Sequence, residues 1–93
     1  MKIPQCIKMG GHEISIIKRN LDKEPVDGAI GVFGYFDSEK LEIHINLTAP
    51  ESVQWETFIH EIIEATCFFT ETPLPHSTIQ SFGLLISQAI QDA

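Results

Sequence analysis

The sequence predicts an α+β fold in which a small antiparallel sheet of about four strands, arranged as two hairpins, is followed by two helices packed on one face of the sheet. The prediction rests on a change in the spacing of hydrophobic residues along the chain. Hydrophobic residues alternate with polar ones in much of the first half of the chain and recur every three or four positions in the second half. Ninety-three residues, 43% of them hydrophobic and 20% charged, are typical of one globular domain. We therefore expect a single domain with β hairpins over residues 1–47, a long helix over 48–69 and a C-terminal helix over 75–92.

The first hairpin is indicated by the pair Gly10-Gly11. It separates residues 3–9 from residues 12–18, two runs that place apolar side chains at every second position. Residues 19–28 are charged and contain proline and glycine, so they form the longest predicted loop.

A second hairpin is predicted from residues 29–36 and 41–47, which are joined by the turn-like tetrapeptide at 37–40. In the second of these runs the hydrophobic residues share one face of the strand and the polar residues share the other. His44 lies among the polar residues and is a weak candidate for binding or for transition-state stabilisation.

Two helices follow. Thr48 and Glu51 fit a capping box, which predicts a helix from about Ala49 to about Phe69. Its side chains toward the sheet are predicted to be Val53, Phe58, Ile59, Ile62, Ile63 and Phe69. Pro73 and Pro75 prevent continuation, and a second helix is expected from there to Gln91. Its predicted buried stripe consists of Ile79, Phe82, Leu85, Ile86, Ala89 and Ile90.

Charge and composition exclude several classes of function. Thirteen acidic and six basic residues give a formal net charge of −7, whereas contacts with nucleic-acid phosphates need clustered Lys and Arg. Solubility alone explains such acidity, although basic partners and cations stay open. No apolar run approaches the roughly 20 residues that cross a bilayer, and the N-terminus lacks the layout of a signal peptide. We therefore expect a cytoplasmic protein without a nucleic-acid or membrane partner, in which Cys6 and Cys67 are reduced.

The segment TFIHEIIEA, residues 57–65, places three ionisable side chains in an apolar stretch of the first helix. Burial of such groups is costly unless they are paired, hydrogen-bonded or bound to a metal, and no Lys or Arg follows Lys40. His60 and Glu64 are spaced i, i+4, so they lie one turn apart on one face of the helix and can converge on one ion. Glu61 projects about 100° further round, where it can reach a water on the ion.

A third ligand is expected from His76, at the start of the second helix, where the chain folds back on the first helix. Two histidines and one glutamate match a catalytic zinc site, which has three protein ligands and leaves the fourth position open. Cys67 is excluded because it lies two turns beyond His60, a rise of about 10.5 Å. His12 lies on a strand and does not repeat the motif. Each of these residues taken singly has an ordinary structural role, and the metal-site prediction depends on their spacing together.

The chain resembles short phage-type minimal gluzincin-like proteins, which are related in layout to metallopeptidase domains of the ImmA/IrrE type. The resemblance spans Gly10-Gly11, the hairpin over residues 33–46, the helix segment 57–61 and the ending at 87–92. It implies a zinc-dependent peptidase fold, in which His60 binds the metal, Glu61 is the general base and a second-helix histidine supplies a ligand. The chain departs from the common HExxH motif because Glu64 replaces the second histidine. Some members of the family share this substitution together with a histidine at the start of the last helix.

The leading hypothesis is a small Zn²⁺-dependent hydrolase, a peptidase in which Glu61 takes a proton from metal-activated water as that water attacks a peptide carbonyl. The sequence identifies no partner for the oxyanion beyond the metal itself, because Tyr35, His44 and His12 cannot be placed relative to the site from sequence alone. An extended peptide could add to a strand edge such as that of residues 41–47.

Two alternatives stay open. The first is a metal-stabilised, catalytically inert interaction protein that binds a protein target, such as a phage-encoded inhibitor of a host factor in the host cytoplasm. The second is a plain helix-on-sheet domain in which the motif arises by chance. In either case two sheet edges favour a homodimer.

Overall fold

A computed structural model of the chain describes residues 2–22 and 33–92. Four strands precede two helices, so the predicted α+β class is confirmed. The elements are β1 (Cys6–Met9), β2 (His12–Arg19), β3 (Gly34–Asp37), β4 (Glu42–Asn46), α1 (Glu51–Thr70) and α2 (His76–Gln91). The predicted loop at 19–28 and the first residues of the predicted strand at 29–36 fall largely outside the described residues.

The first predicted hairpin is confirmed, since β1 and β2 pair antiparallel across Gly10 and Gly11. Both glycines have positive φ angles, +58° and +83°, as a tight two-residue hairpin turn requires. β3 and β4 form the second antiparallel pair, so the second hairpin is also confirmed.

The order of the strands in the sheet is β1-β2-β4-β3, and β2 pairs with β4 in parallel. The sheet is therefore mixed, and the prediction that it is antiparallel throughout was wrong at this one pairing. The reason is that β4, the return strand of the second hairpin, lies between β2 and β3. Because β4 is paired on both sides, its edge is closed to a peptide, and among the described strands β1 and β3 form the two edges of the sheet.

Only one helix lies on the sheet. α1 contacts β3 and β4, whereas α2 packs against α1 and makes no close contact with the described strands. The prediction that both helices pack on one sheet face was therefore wrong for α2. The core between the sheet and α1 consists of Ile3, Ile14, Ile16, Ile43, Ile45, Trp55, Phe58, Ile59 and Ala65. Neither helix in the described part of the chain is long and apolar enough to cross a membrane.

The start of α1 differs from the predicted capping box. The helix begins at Glu51 after Pro50, and no side chain caps it. The Thr48 hydroxyl instead lies 2.9 Å from both Asp22 Oδ2 and Asn46 Oδ1, and these two acceptors share its single hydrogen. Thr48 therefore ties the end of β4 to the residues that follow β2. The C-terminal end is as predicted within two residues, with Glu71 in the left-handed region (φ 53°).

The buried side of α2 also differs from the predicted stripe. Ile79, Gly83 and Ser87 are buried, whereas three large residues of the predicted stripe are exposed. Phe82 is 48% exposed, Leu85 63% and Ile86 43%. The reason is steric. The small residues Gly83 and Ser87 let the two helices approach closely, so the side of α2 that carries them faces α1.

α1 lies close to the sheet at Gly34. A Cβ atom at this position would be 2.5 Å from the His44 carbonyl oxygen and 2.6 Å from Thr57 Cγ2. Real Cβ atoms do not approach other heavy atoms so closely, and the carbonyl belongs to the paired backbone of β4. Gly34 therefore sets how near α1 lies to β3.

We expect Gly34→Ala to lower the free energy of unfolding by roughly 1–3 kcal/mol, the usual cost of overpacking. Gly83→Ala is the matched control, because a Cβ there would lie at an ordinary 3.5 Å from His60. Alanine also favours a helix interior over glycine by up to about 1 kcal/mol. Urea denaturation of the three proteins measures both effects. Equal destabilisation by the two substitutions would show that the contact at Gly34 is not special.

Candidate metal centre

His60, Glu64 and His76 lie together where α2 begins beside α1. His60 Nε2 is 3.6 Å from Glu64 Oε1, and the rings of His60 and His76 are 5.4 Å apart. One potential ligand atom from each residue lies within 4.8 Å of the other two. The described residues contain no other such group of three histidine, cysteine or acidic side chains. The structure thus brings together the three residues that the sequence singles out.

Two local features place these side chains. His60 and Glu64 share a face of α1 because they are one helical turn apart. His76 reaches them because α2 touches α1 at Gly83, where an added Cβ would lie 3.5 Å from His60 Cα. His76 is seven residues before Gly83, two turns along the same side of α2. Gly83, where α2 touches α1, and His76 therefore lie on the same side of α2.

The donor set fits zinc in kind and nearly in distance. Tetrahedral zinc with bonds of about 2.1 Å holds its ligand atoms roughly 3.4 Å apart. The His60–Glu64 separation of 3.6 Å is already close to this value. The widest separation must shrink by more than 1 Å, and His76 can supply that movement because its side chain is exposed at the start of α2. Cys67 lies outside the converging group, as predicted.

The surroundings of His60 favour its neutral form, which is the form that binds a metal. Burial lowers the pKa of His60, and His76 lowers it further, while the carboxylates of Glu64 and Glu56 act in the opposite direction. Burial is the largest of these effects. The imidazole is therefore available as a ligand at neutral pH.

Glu61 is a buried carboxyl group without a cation beside it. The residue is only 7% exposed, and it makes no side-chain hydrogen bond or ion pair with the residues that the structure describes. Burial, with a smaller contribution from the charge of Glu64, raises the pKa of Glu61 to about 8. A carboxyl group perturbed in this way and placed at a cleft is a candidate for acid–base chemistry.

The cleft beside Glu61 has a volume of about 370 Å³ and lies between the edge strand β3, α1 and α2. Its lining residues are Phe33, Gly34, Val53, Glu56, Thr57, His60, Glu61 and Gln80. His60 and Glu61 thus face one cavity. Glu64 borders a second, more open depression together with Cys67, on the other side of the centre. Sequence reasoning missed the wall formed by β3, although a glycine inside a strand pattern signals close approach of another element.

The remaining histidines lie elsewhere. His12 stacks on Phe69 with ring centroids 4.7 Å apart. His44 points away from α1, stacks on Tyr35 at 4.6 Å and accepts a 2.9 Å hydrogen bond from Arg19. Tyr35, His44 and His12, which the sequence could not place relative to the site, do not line the cleft. Their described partners give them structural roles.

No protein-family model, curated protein or solved structure matches the chain. The resemblance to minimal gluzincin-like proteins therefore stays a prediction. The case for a metal centre rests on three converging side chains and on the buried carboxyl group beside them.

We expect Glu61 to make the metal-free protein less stable as the pH rises. Its carboxyl group titrates near 4.5 in the unfolded chain and near 8 in the folded one. Between these values the native state binds the proton more tightly, so the unfolding free energy falls with increasing pH and the full penalty is present above pH 8. Glu61→Gln removes this penalty, which amounts to as much as about 5 kcal/mol.

The parent protein and Glu61→Gln are denatured in the presence of a chelator at several pH values from 5 to 9. The difference between their unfolding free energies at each pH isolates the contribution of Glu61. This comparison is needed because the lowered pKa of His60 acts with the opposite sign: its contribution to stability grows as the pH rises toward 6.5. A difference that stays constant over this range would contradict a buried, protonated Glu61.

Proposed function

We propose that the protein is a small zinc-dependent hydrolase, a peptidase whose metal is held by His60, Glu64 and His76 and whose general base is Glu61. The observation that carries the proposal is the junction of two features at His60. This residue belongs to the group of converging ligand atoms, and it also lines the cleft that Glu61 faces. One of the proposed metal ligands and the carboxyl group whose pKa is raised thus line the same cavity.

The donor set supports a catalytic role over a structural one. Structural zinc sites are closed by four protein ligands, most often cysteines, whereas two histidines and one carboxylate leave a position open. When bound, zinc supplies a Lewis acid that polarises a carbonyl group and lowers the pKa of its water to about 7. Glu64 takes the place of the second histidine of an HExxH motif and adds negative charge to the donor set.

Glu61 is placed to move protons within the cleft. As water attacks the carbonyl carbon of a peptide, the carboxylate accepts the proton that the water loses. It then delivers this proton to the amine nitrogen when the carbon–nitrogen bond breaks, which leaves a carboxylic acid, with the second hydrogen of the water, and an amine as products. Glu61 must be ionised to act as a base. A zinc ion held by the neighbouring His60 would favour the ionised form, because a nearby positive charge lowers the pKa of a carboxyl group.

The edge of β3 is the natural place for an extended substrate. No described strand pairs with β3 on its outer side, and Gly34 of this strand lines the cleft. A peptide added there gains main-chain hydrogen bonds and passes in front of Glu61. Among the described residues that line it, the cleft contains Glu56 and Glu61 and no Lys or Arg, so the charge of this lining favours neutral or basic segments over acidic ones.

We expect His60→Ala, Glu64→Ala and His76→Ala each to lower the zinc content of the purified protein. Each should also lower the melting temperature of the zinc-loaded protein, because a metal that binds only the native state stabilises it. Atomic absorption and thermal melts with and without a chelator measure both effects. His12→Ala is the matched control, since this histidine stacks on Phe69 outside the centre. Full zinc occupancy in His76→Ala would remove the second helix from the site.

Glu61→Gln separates an enzyme from an inert binder. The amide has nearly the same shape without the basicity, so zinc content should be retained. Turnover of a peptide found by library screening should fall by roughly a hundredfold or more, the usual contribution of a positioned general base. Equal cleavage by both proteins would contradict the proposed mechanism. Tight zinc binding without cleavage by either protein would favour the metal-stabilised interaction protein.

A further inference from the structure

One side of α2 carries large hydrophobic residues that no other described element covers. We call Phe82, Leu85, Ile86 and Ala89 the outer strip. The first three are 48%, 63% and 43% exposed, and Ala89 is exposed as well. At 100° per residue the four positions fall within an arc of about 100°, so they form one continuous strip along the helix. Contiguous exposed hydrophobic surface of this kind is typical of an interaction site.

The outer strip is also free of charge. No Asp, Glu, Lys or Arg occurs between His76 and Gln91, although the whole chain has a net charge of −7. An unlike partner that is selected by charge would find nothing to recognise on this helix. Two copies of the chain, each with a net charge of −7, repel each other, and α2 carries no Asp, Glu, Lys or Arg side chain that adds to this repulsion.

The strip is complementary to itself. A two-fold axis that passes between Leu85 and Ile86 sets two copies of α2 antiparallel. This register places Leu85 against Ile86 of the second copy and the large Phe82 against the small Ala89 of the second copy. Each large side chain therefore meets a position that can accept it, and the same patch serves both subunits, as a two-fold interface requires.

The size of the strip limits the strength of the contact. A 16-residue helix is about 24 Å long, and one face of it can bury roughly 500 Å² per copy, below the ~800 Å² per partner of a standard stable interface. We infer that the protein forms a reversible homodimer through the outer strip of α2, with a dissociation constant in the micromolar range. Gln80 lines the cleft on the opposite side of α2, so the dimer leaves the cleft open.

Sedimentation equilibrium between about 1 and 500 µM tests this inference, and a micromolar dimer should change from mostly monomer to mostly dimer over that range. Leu85→Glu should raise the dissociation constant at least about a hundredfold, because the charge would be buried without a partner. Leu84→Glu is the matched control. Leu84 is also a large exposed residue of α2, 45% accessible, but it points away from the outer strip, so its substitution should leave the dimer intact.

The register has its own test. Ile86→Lys should also weaken self-association, and an equimolar mixture with Leu85→Glu should restore dimers, because the two new charges face each other across the axis. Circular dichroism checks that each variant stays folded, which is expected for substitutions at exposed positions. The inference fails if the parent is monomeric at every concentration, or if Leu85→Glu and Leu84→Glu associate equally. A monomer that sediments with phosphatidylcholine vesicles in a Leu85-dependent manner would assign the strip to a membrane surface instead.

Discussion

The close approach of α1 to the edge strand at Gly34 is the constraint on which the candidate site depends. The absence of a side chain at this position lets Thr57 pack against the backbone of the sheet. With α1 held there, Phe58 and Ile59 enter the core, and Glu61, one turn after Thr57, faces the cleft beside β3. Rotation of the helix by a single residue would replace the buried carboxyl group by Ile62 in one direction and by His60 in the other. Packing at Gly34 therefore fixes which side chains of the motif are buried.

The site costs the fold stability, and the cost falls mainly on Glu61. A hydrophobic residue of similar size at this buried position would be more favourable, since no Lys or Arg follows Lys40 to compensate a negative charge. The carboxyl group therefore holds its proton to an unusually high pH in the metal-free protein. A positive charge at the His60, Glu64 and His76 cluster would offset part of this cost. The buried Glu61 and the neighbouring cluster of possible ligands are therefore explained better together than separately. The contacts of His12 and His44 give these histidines structural roles, whereas no such contact explains a buried Glu61.

The sequence predicts local features well and non-local ones poorly. Both hairpins, the helix boundaries within about two residues and the convergence of His60 with Glu64 follow from period, turn residues and i, i+4 spacing. The insertion of β4 between β2 and β3 does not, because a hairpin pattern says nothing about which of its strands lies next to an earlier one. Thr48 resembled a helix cap in sequence, but its hydroxyl bonds to Asp22, a partner 26 positions away. The side of α2 that is buried was missed for a related reason. Hydrophobic periodicity favours Phe82 and Leu85, whereas close helix contact favours the small residues Gly83 and Ser87.

α2 consequently has two sides with different physical roles. The side of α2 that carries Gly83 and Ser87 packs against α1 and brings His76 to the centre. This contact buries few large side chains, and α2 makes no further contact with the described strands. The helix is thus held to the domain mainly through α1. Hydrophobic residues that would ordinarily strengthen such a contact lie instead on the outer strip. Anything that covers this strip stabilises α2 as a helix and, by mass action, the folded state that keeps His76 beside His60. The proposed association at the outer strip and the proposed metal binding at the start of α2 would therefore each stabilise the same helix, even though the two surfaces share no residue.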